Sequence, residues 1–124
     1  METIIKEFIT LIKSPNDSTV QLKSLTMLND MLERLKKLEK KKLTEVQSSI
    51  EDMLYTYVSS NRANSDISVR YVYYIYKYIF DMGLNTRLNE FISKYSHAVT
   101  SSKTSLNVKA TALWLLGKVC AKSN

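Results

Sequence analysis

Apolar positions recur along this chain at spacings of three and four, interrupted by short polar stretches, and the pattern divides it into six segments. Residues 2–13 place Ile4, Ile5, Phe8, Ile9, Leu11 and Ile12 at helical spacing. The stretch SPNDS (14–18) is a turn, because Pro15 disfavours a helical Ser14 and Asp17 or Ser18 can cap the second segment. Residues 19–39 carry a leucine stripe: Leu22, Leu25, Leu28, Leu32, Leu35 and Leu38. The next boundary is EKKKLT (39–44), where lysines suit a helix C-terminus and Thr44 with Gln47 fits a capping box. Residues 45–59 show a narrower stripe of Val46, Ile50, Met53, Leu54, Tyr57 and Val58, ending in the polar loop SSNRANSD (59–66). The fourth segment covers 67–82, with Gly83 as a stop, and the fifth covers 86–100. After the loop TSSKTS (100–105) the sixth runs over 106–122.

The fourth segment tests the helical reading. VRYVYYIYKYIF, Val69 to Phe80, holds five tyrosines among residue types that favour strands. From Ile67 to Met82, however, it runs 16 residues, preceded by a cap at Ser65 or Asp66 and succeeded by glycine. That is too long for an ordinary strand and fits four helical turns. Aromatic and β-branched residues make a poor isolated helix, so this one must be held by packing on more than one side.

The first, third and fifth segments carry narrower apolar faces than the second, fourth and sixth. This predicts three hairpins, at 2–39, 45–82 and 86–122, each pairing an outer, half-solvated helix with a covered inner one. Aligning the inner segments on LKSL (Leu22), VRYV (Val69) and VKAT (Val108) gives spacings of 47 and 39 residues, the HEAT or armadillo period. The expected fold is all-α: a short right-handed HEAT/armadillo-like α-solenoid forming one domain over residues 1–124.

Composition supports the class. Only two Gly and one Pro occur, far too few breakers for a sheet protein. The single cysteine, Cys120, excludes an internal disulfide and a cysteine-based zinc site, and suits a reducing compartment. No window approaches 18 consecutive apolar residues. The net charge of +6 permits acidic partners without demanding them.

DISVRYVYYIYKYIF (66–80) and LNVKATALWLLGKV (106–119) share a HEAT-like habit: a cap, an apolar–basic pair, then an apolar run. Lys109 replaces Arg70 in the second, and Ser105 replaces the acidic cap. More narrowly, Val69-Arg70, Gly83, Leu88–Tyr95, Ser101–Ser105 and Lys109–Gly117 come in an order that resembles the amino-terminal region of the large HEAT-repeat-containing protein 5 family. Its fungal members are accessory proteins of a clathrin adaptor. The resemblance covers residues 67–122, under half the chain. It implies an amino-terminal piece of a longer repeat protein and a non-enzymatic scaffold for clathrin-adaptor traffic between Golgi and endosomes. It also implies a cytoplasmic location, peripheral on those membranes through other proteins, and a clathrin adaptor complex or its accessory subunits as partners.

Read residue by residue, catalytic chemistry is not indicated. His97 stands between Ser96 and Ala98 with no nearby acid, as a surface histidine does. Cys120 shares an apolar face with Leu116 and Val119 and reads as a small hydrophobe. Glu51 and Asp52 point about 100° apart on a helix, and are expected on a solvated face. No phosphate-binding glycine motif or H-E-x-x-H occurs, so no enzyme and no cofactor is expected.

Two surfaces remain as candidates. Tyr71, Tyr74 and Tyr78, at i, i+3 and i+7, share a face that with Arg70 and Lys109 can bind a protein partner, while Tyr73, Tyr76 and Phe80 are expected in the core. The basic run Arg34, Lys36, Lys37, Lys40, Lys41 and Lys42 is the candidate contact for an anionic surface. It also carries the alternative reading, a helical domain that binds nucleic acid or ribosomes through its lysines, although no pattern for specific nucleic-acid reading is present. Incompletely covered faces on the third and sixth segments make self-association an expectation. Gly117, in ALWLLGKVC, is expected to mark close approach of a neighbouring helix.

Overall fold

A computed structural model of the chain describes residues 2–14, 17–34, 40–81 and 88–122, with the side chains of residues 2, 40–45 and 122 outside the description. Among the described residues there are six α-helices and no strand. They are α1 (Glu2–Lys13), α2 (Ser18–Arg34), α3 (Lys40–Ser59), α4 (Asp66–Asp81), α5 (Leu88–Thr100) and α6 (Leu106–Lys122). The tyrosine-rich stretch is helical throughout, as its length and flanking signals require.

Local chemistry sets several of the helix ends. Asp17 caps α2, its Oδ1 accepting from the backbone N–H of Thr19 at 2.9 Å and of Val20 at 3.4 Å. Ser65 caps α4: its Oγ accepts from the Ser68 N–H at 3.2 Å, while Ser68 Oγ accepts from the Ser65 N–H at 3.0 Å. A serine thus performs the reciprocal part usually given to Glu or Gln in a capping box. Ser105 caps α6 through the Val108 N–H at 3.3 Å. Helix α3 ends in a Schellman arrangement, with Arg62 N–H donating to the Tyr57 carbonyl and Asn61 N–H to the Val58 carbonyl, both at 3.0 Å. Asn61 has φ 60°, the left-handed conformation that asparagine tolerates better than most side chains.

One boundary differs from expectation. Helix α3 begins at Lys40, so residues 40–44 are helical and Thr44 is not its cap. Lysine and leucine are good helix formers, and nothing in KKKLT breaks a helix. The three lysines therefore open α3, at the end where the helix dipole opposes them, instead of closing α2. The expected stop at Gly83 and the leucines Leu35 and Leu38 lie outside the described residues.

Packing joins helices two apart in the chain as well as successive ones. Helix α1 lies against α2 and α3, α2 against α4, α4 against α6, and α6 against both α5 and α3. The core includes Ile5, Ile12, Leu25, Leu28, Leu32, Ile50, Met53, Leu54, Val72, Ile75, Ile79 and Leu115. Gln21 joins α2 to the last turn of α1, its Nε2 donating to the Ile12 carbonyl at 2.7 Å. That carbonyl has no partner within its own helix.

The expected division into outer and inner helices does not hold for α3 and α6. Helix α3 buries Val46, Gln47, Ile50, Glu51, Met53, Leu54, Tyr57 and Val58, the most heavily covered surface of the six. Its polar Gln47 and Glu51 disguise a broad buried face as a narrow one. Glu51 is therefore not on a solvated face. Its neighbour Asp52 is exposed and pairs with Lys94 of α5 at 3.0 Å. Helix α6 is one-sided: Val108, Thr111, Ala112, Leu115 and Val119 are buried, while Leu106, Leu113 and Trp114 lie at the surface. Gly117 falls on that open side, where a methyl group would meet no atom within 4 Å, so no neighbouring helix approaches it.

Candidate interaction face

Helix α4 sends its aromatic rings in two directions. On the α5 side, Tyr76 stands with its ring centroid 4.7 Å from Phe91 and 5.9 Å from Tyr95, both edge-to-face. The Tyr76 and Tyr95 hydroxyls hydrogen-bond at 2.7 Å inside the protein. Tyr55 of α3 meets Tyr95 edge-on at 5.2 Å, and Phe80 stacks on Tyr76 at 6.0 Å. Burial holds the Tyr76 and Tyr95 phenols well above the usual tyrosine range, the Glu51 and Asp52 carboxyls adding for Tyr76 and Glu51 for Tyr95. In this seam of α3, α4 and α5 the Tyr76, Phe91 and Tyr95 rings are buried, with Tyr55 and Phe80 half-buried at its margin.

On the other side the rings reach the surface. Tyr71 meets Tyr74 edge-to-face at 5.6 Å, Tyr74 lies 5.9 Å from Tyr73, and Tyr73 meets Trp114 of α6 edge-to-face at 5.7 Å. Lys118 continues the line, its Nζ 5.7 Å from the Trp114 ring centroid. Around this ridge Ile67 is 57% exposed, Leu113 56% and Tyr74 40%, with Arg70 at the surface beside them. A cleft of about 340 Å³ opens between the start of α4 and α6, lined by Asn64, Asp66, Arg70, Asn107, Ala110 and Trp114 among others.

The residues singled out from the sequence meet unequal fates. Tyr71, Tyr74 and Arg70 belong to the ridge or its margin, and Lys109 lies half-buried on α6. Tyr78 is a correction: only 7% of it is exposed, because the C-terminal half of α4 is enclosed on the side where its N-terminal half is open. Its phenol is pushed up by burial, and its hydroxyl has no hydrogen-bond partner. Of the three tyrosine-helix rings expected in the core, Tyr76 is there, while Tyr73 and Phe80 are half-buried. Sequence reasoning misses Trp114 and Tyr73 as members of a surface. The signal available is Trp114 falling outside the Val108–Ala112–Leu115 face on a helical projection, at its flank.

Of the basic run, Arg34 is exposed at the end of α2. Lys36 and Lys37 lie outside the described residues, and Lys40, Lys41 and Lys42 form the first turn of α3 with their side chains outside the description. His97 is exposed and Cys120 is a free, half-buried thiol. Among the described residues no cluster of His, Cys, Asp and Glu could hold a metal ion, and no helix is long and apolar enough to cross a membrane. Comparison of the chain with protein-family models, curated proteins and solved structures finds no match.

Proposed function

We propose that this protein is a non-enzymatic, protein-binding scaffold of the HEAT type, a short α-solenoid whose working surface is the aromatic ridge across α4 and α6. The observation that carries the reading is a contiguous row of rings in which Tyr74 and Trp114 are exposed and Tyr71 and Tyr73 half-buried, flanked by the exposed Ile67 and Leu113. Large aromatic side chains left in contact with water are expensive to maintain and are enriched where proteins meet. The solenoid reading draws on the packing of α2 against α4 and α4 against α6, with α1 against α3, as stacked helix pairs require. The similarity of residues 67–122 to the HEAT-repeat-containing protein 5 family points to a clathrin adaptor complex or its accessory subunits as the partners, on Golgi or endosomal membranes.

The test is affinity capture from cell extract with the wild-type chain and with Tyr74→Arg, treated with nuclease and washed at rising salt. Adaptor subunits held through nuclease and salt, and released by the substitution, are the expected result. Capture that disappears with nuclease or falls steeply with salt assigns the protein instead to nucleic-acid or ribosome binding through Arg34 and the lysines after it.

A further inference from the structure

The side of α6 turned away from the core carries an uninterrupted apolar stripe. Leu106, Ala110, Leu113, Gly117 and Ala121 recur at spacings of four and three, and all five are exposed, Leu106 to 84%. The stripe spans about 24 Å of helix. Its two flanks are basic: Lys109 borders it on one side, and Lys118 with Trp114 borders it on the side toward α4. Glu90 is the last acidic residue of the chain, so nothing on α6 or in the loop before it balances those charges. Alternating leucine and small residues leave holes that the side chains of a second helix can enter, and Gly117 has no packing duty inside the molecule that would explain it.

We propose that the outer face of α6 docks an α-helix of a partner protein whose leucine-type anchors fit the stripe and whose flanks are acidic. The inference rests on the scaffold reading and gives its partner a chemistry. Charge selects this occupant over a second copy of the chain. In a pairing of α6 with itself the charged residues that α6 brings to its borders are lysines on both sides, whereas aspartate or glutamate flanks meet Lys109 and Lys118 with opposite charge. Trp114 supplies an amphipathic anchor at the edge of the contact.

Trp114 is the only tryptophan, so its emission reports directly on this face. Two synthetic helical peptides of about three heptads are the probes, identical in their leucine positions, one flanked by glutamate and the other by lysine. The glutamate peptide is expected to shift Trp114 emission to the blue and to bind at least ~10-fold tighter than the lysine peptide, a difference of about 1.4 kcal/mol. The Lys109→Glu/Lys118→Glu variant is expected to reverse the preference, and Leu113→Glu to abolish binding of both peptides. All three substituted positions are at or near the surface, so unchanged thermal melting checks that the variants are folded. Equal affinity for the two peptides, no binding of either, or a glutamate preference that survives charge reversal overturns the proposal. So does a wild-type dimer in sedimentation that Leu113→Glu dissolves, which gives the face to a second copy. Adaptor capture that Leu113→Glu leaves intact, with no peptide binding, removes this inference while keeping the scaffold. Peptide binding without any captured protein removes the scaffold's assigned partner and keeps the docking face.

Discussion

Helix α4 places the same residue type in two opposite settings. Tyr76 joins Tyr95 and Phe91 in a buried seam, whereas Tyr74 joins Tyr71, Tyr73 and Trp114 on a ridge that reaches the surface. The two rings lie two residues apart in the chain, and only helical phase separates them. In the seam, ring edges meet other rings and the two hydroxyls satisfy one another. On the ridge, Tyr74 and Trp114 are exposed and Tyr71 and Tyr73 are half-buried. An aromatic-rich helix can therefore hold a fold together and present a binding surface at once, provided the two sets fall on different faces.

The largest expected difference between the regions is in stability. Tyr76→Ala is expected to cost about 3–5 kcal/mol, because the cavity would lie among residues that cannot all collapse into it. Tyr74→Ala, at 40% exposure, is expected to stay within about 0.5 kcal/mol. Urea unfolding measures both, and equal costs would erase the distinction between seam and ridge.

Alkaline pH sharpens the same contrast. Below pH 10 the Tyr76 and Tyr95 phenols are protonated in both folded and unfolded chains, so stability there is unaffected by them. Above pH 10 the unfolded chain ionises while burial keeps the folded phenols protonated, so stability falls as pH rises. The fall approaches about 1.4 kcal/mol per pH unit for each phenol. Unfolding midpoints at rising pH should drop faster in the wild type than in the Tyr76→Phe/Tyr95→Phe variant. Parallel curves would mean that the seam admits water.

A double-mutant cycle on the same two hydroxyls isolates their hydrogen bond. A coupling of about 0.5–1.5 kcal/mol is expected, and zero would show that the hydroxyls find other partners in the single variants.

The smallest effect belongs to the open side of α6. Gly117→Ala should stabilise by about 0.5–1 kcal/mol, since the helix gains propensity and the methyl meets nothing. Loss of stability would mean that Gly117 packs against something, and would move α6 from the ridge toward the seam in kind.

Much of the helical layout was legible from punctuation. Asp17, Ser65 and Ser105 cap where short polar side chains precede apolar periodicity, and the ends of α1 and α6 fall where the pattern stops. The start of α3 was hidden because lysines read as a C-terminal signal when their helix-forming tendency is what acts. The coverage of α3 was hidden too, since Gln47 and Glu51 look solvated and only the tertiary packing buries them. The spacing of Tyr71, Tyr74 and Tyr78 made a shared face legible but not which of them are exposed: Tyr74 is, Tyr71 is half-buried and Tyr78 is buried. Spacing fixes a face of a helix but not how far along that face its neighbours reach. Gly117 invited a packing explanation that belongs to buried glycines, and its side of α6 is open.

The contact between Asn61 and Asn107 has a consequence for the order of folding. It joins the left-handed turn after α3 to the first turn of α6 across 46 residues, with the Asn107 side-chain amide donating to the Asn61 side-chain oxygen. Closing that span costs about 3 kcal/mol of chain entropy before the contact returns anything. A link of that span is expected to form after α4 and α5 have brought the two ends together, on the native side of the folding barrier. Asn61→Gly keeps the left-handed turn and removes the link. It should leave the refolding rate nearly unchanged while the protein unfolds faster, which makes this polar pair a latch on the rate of opening.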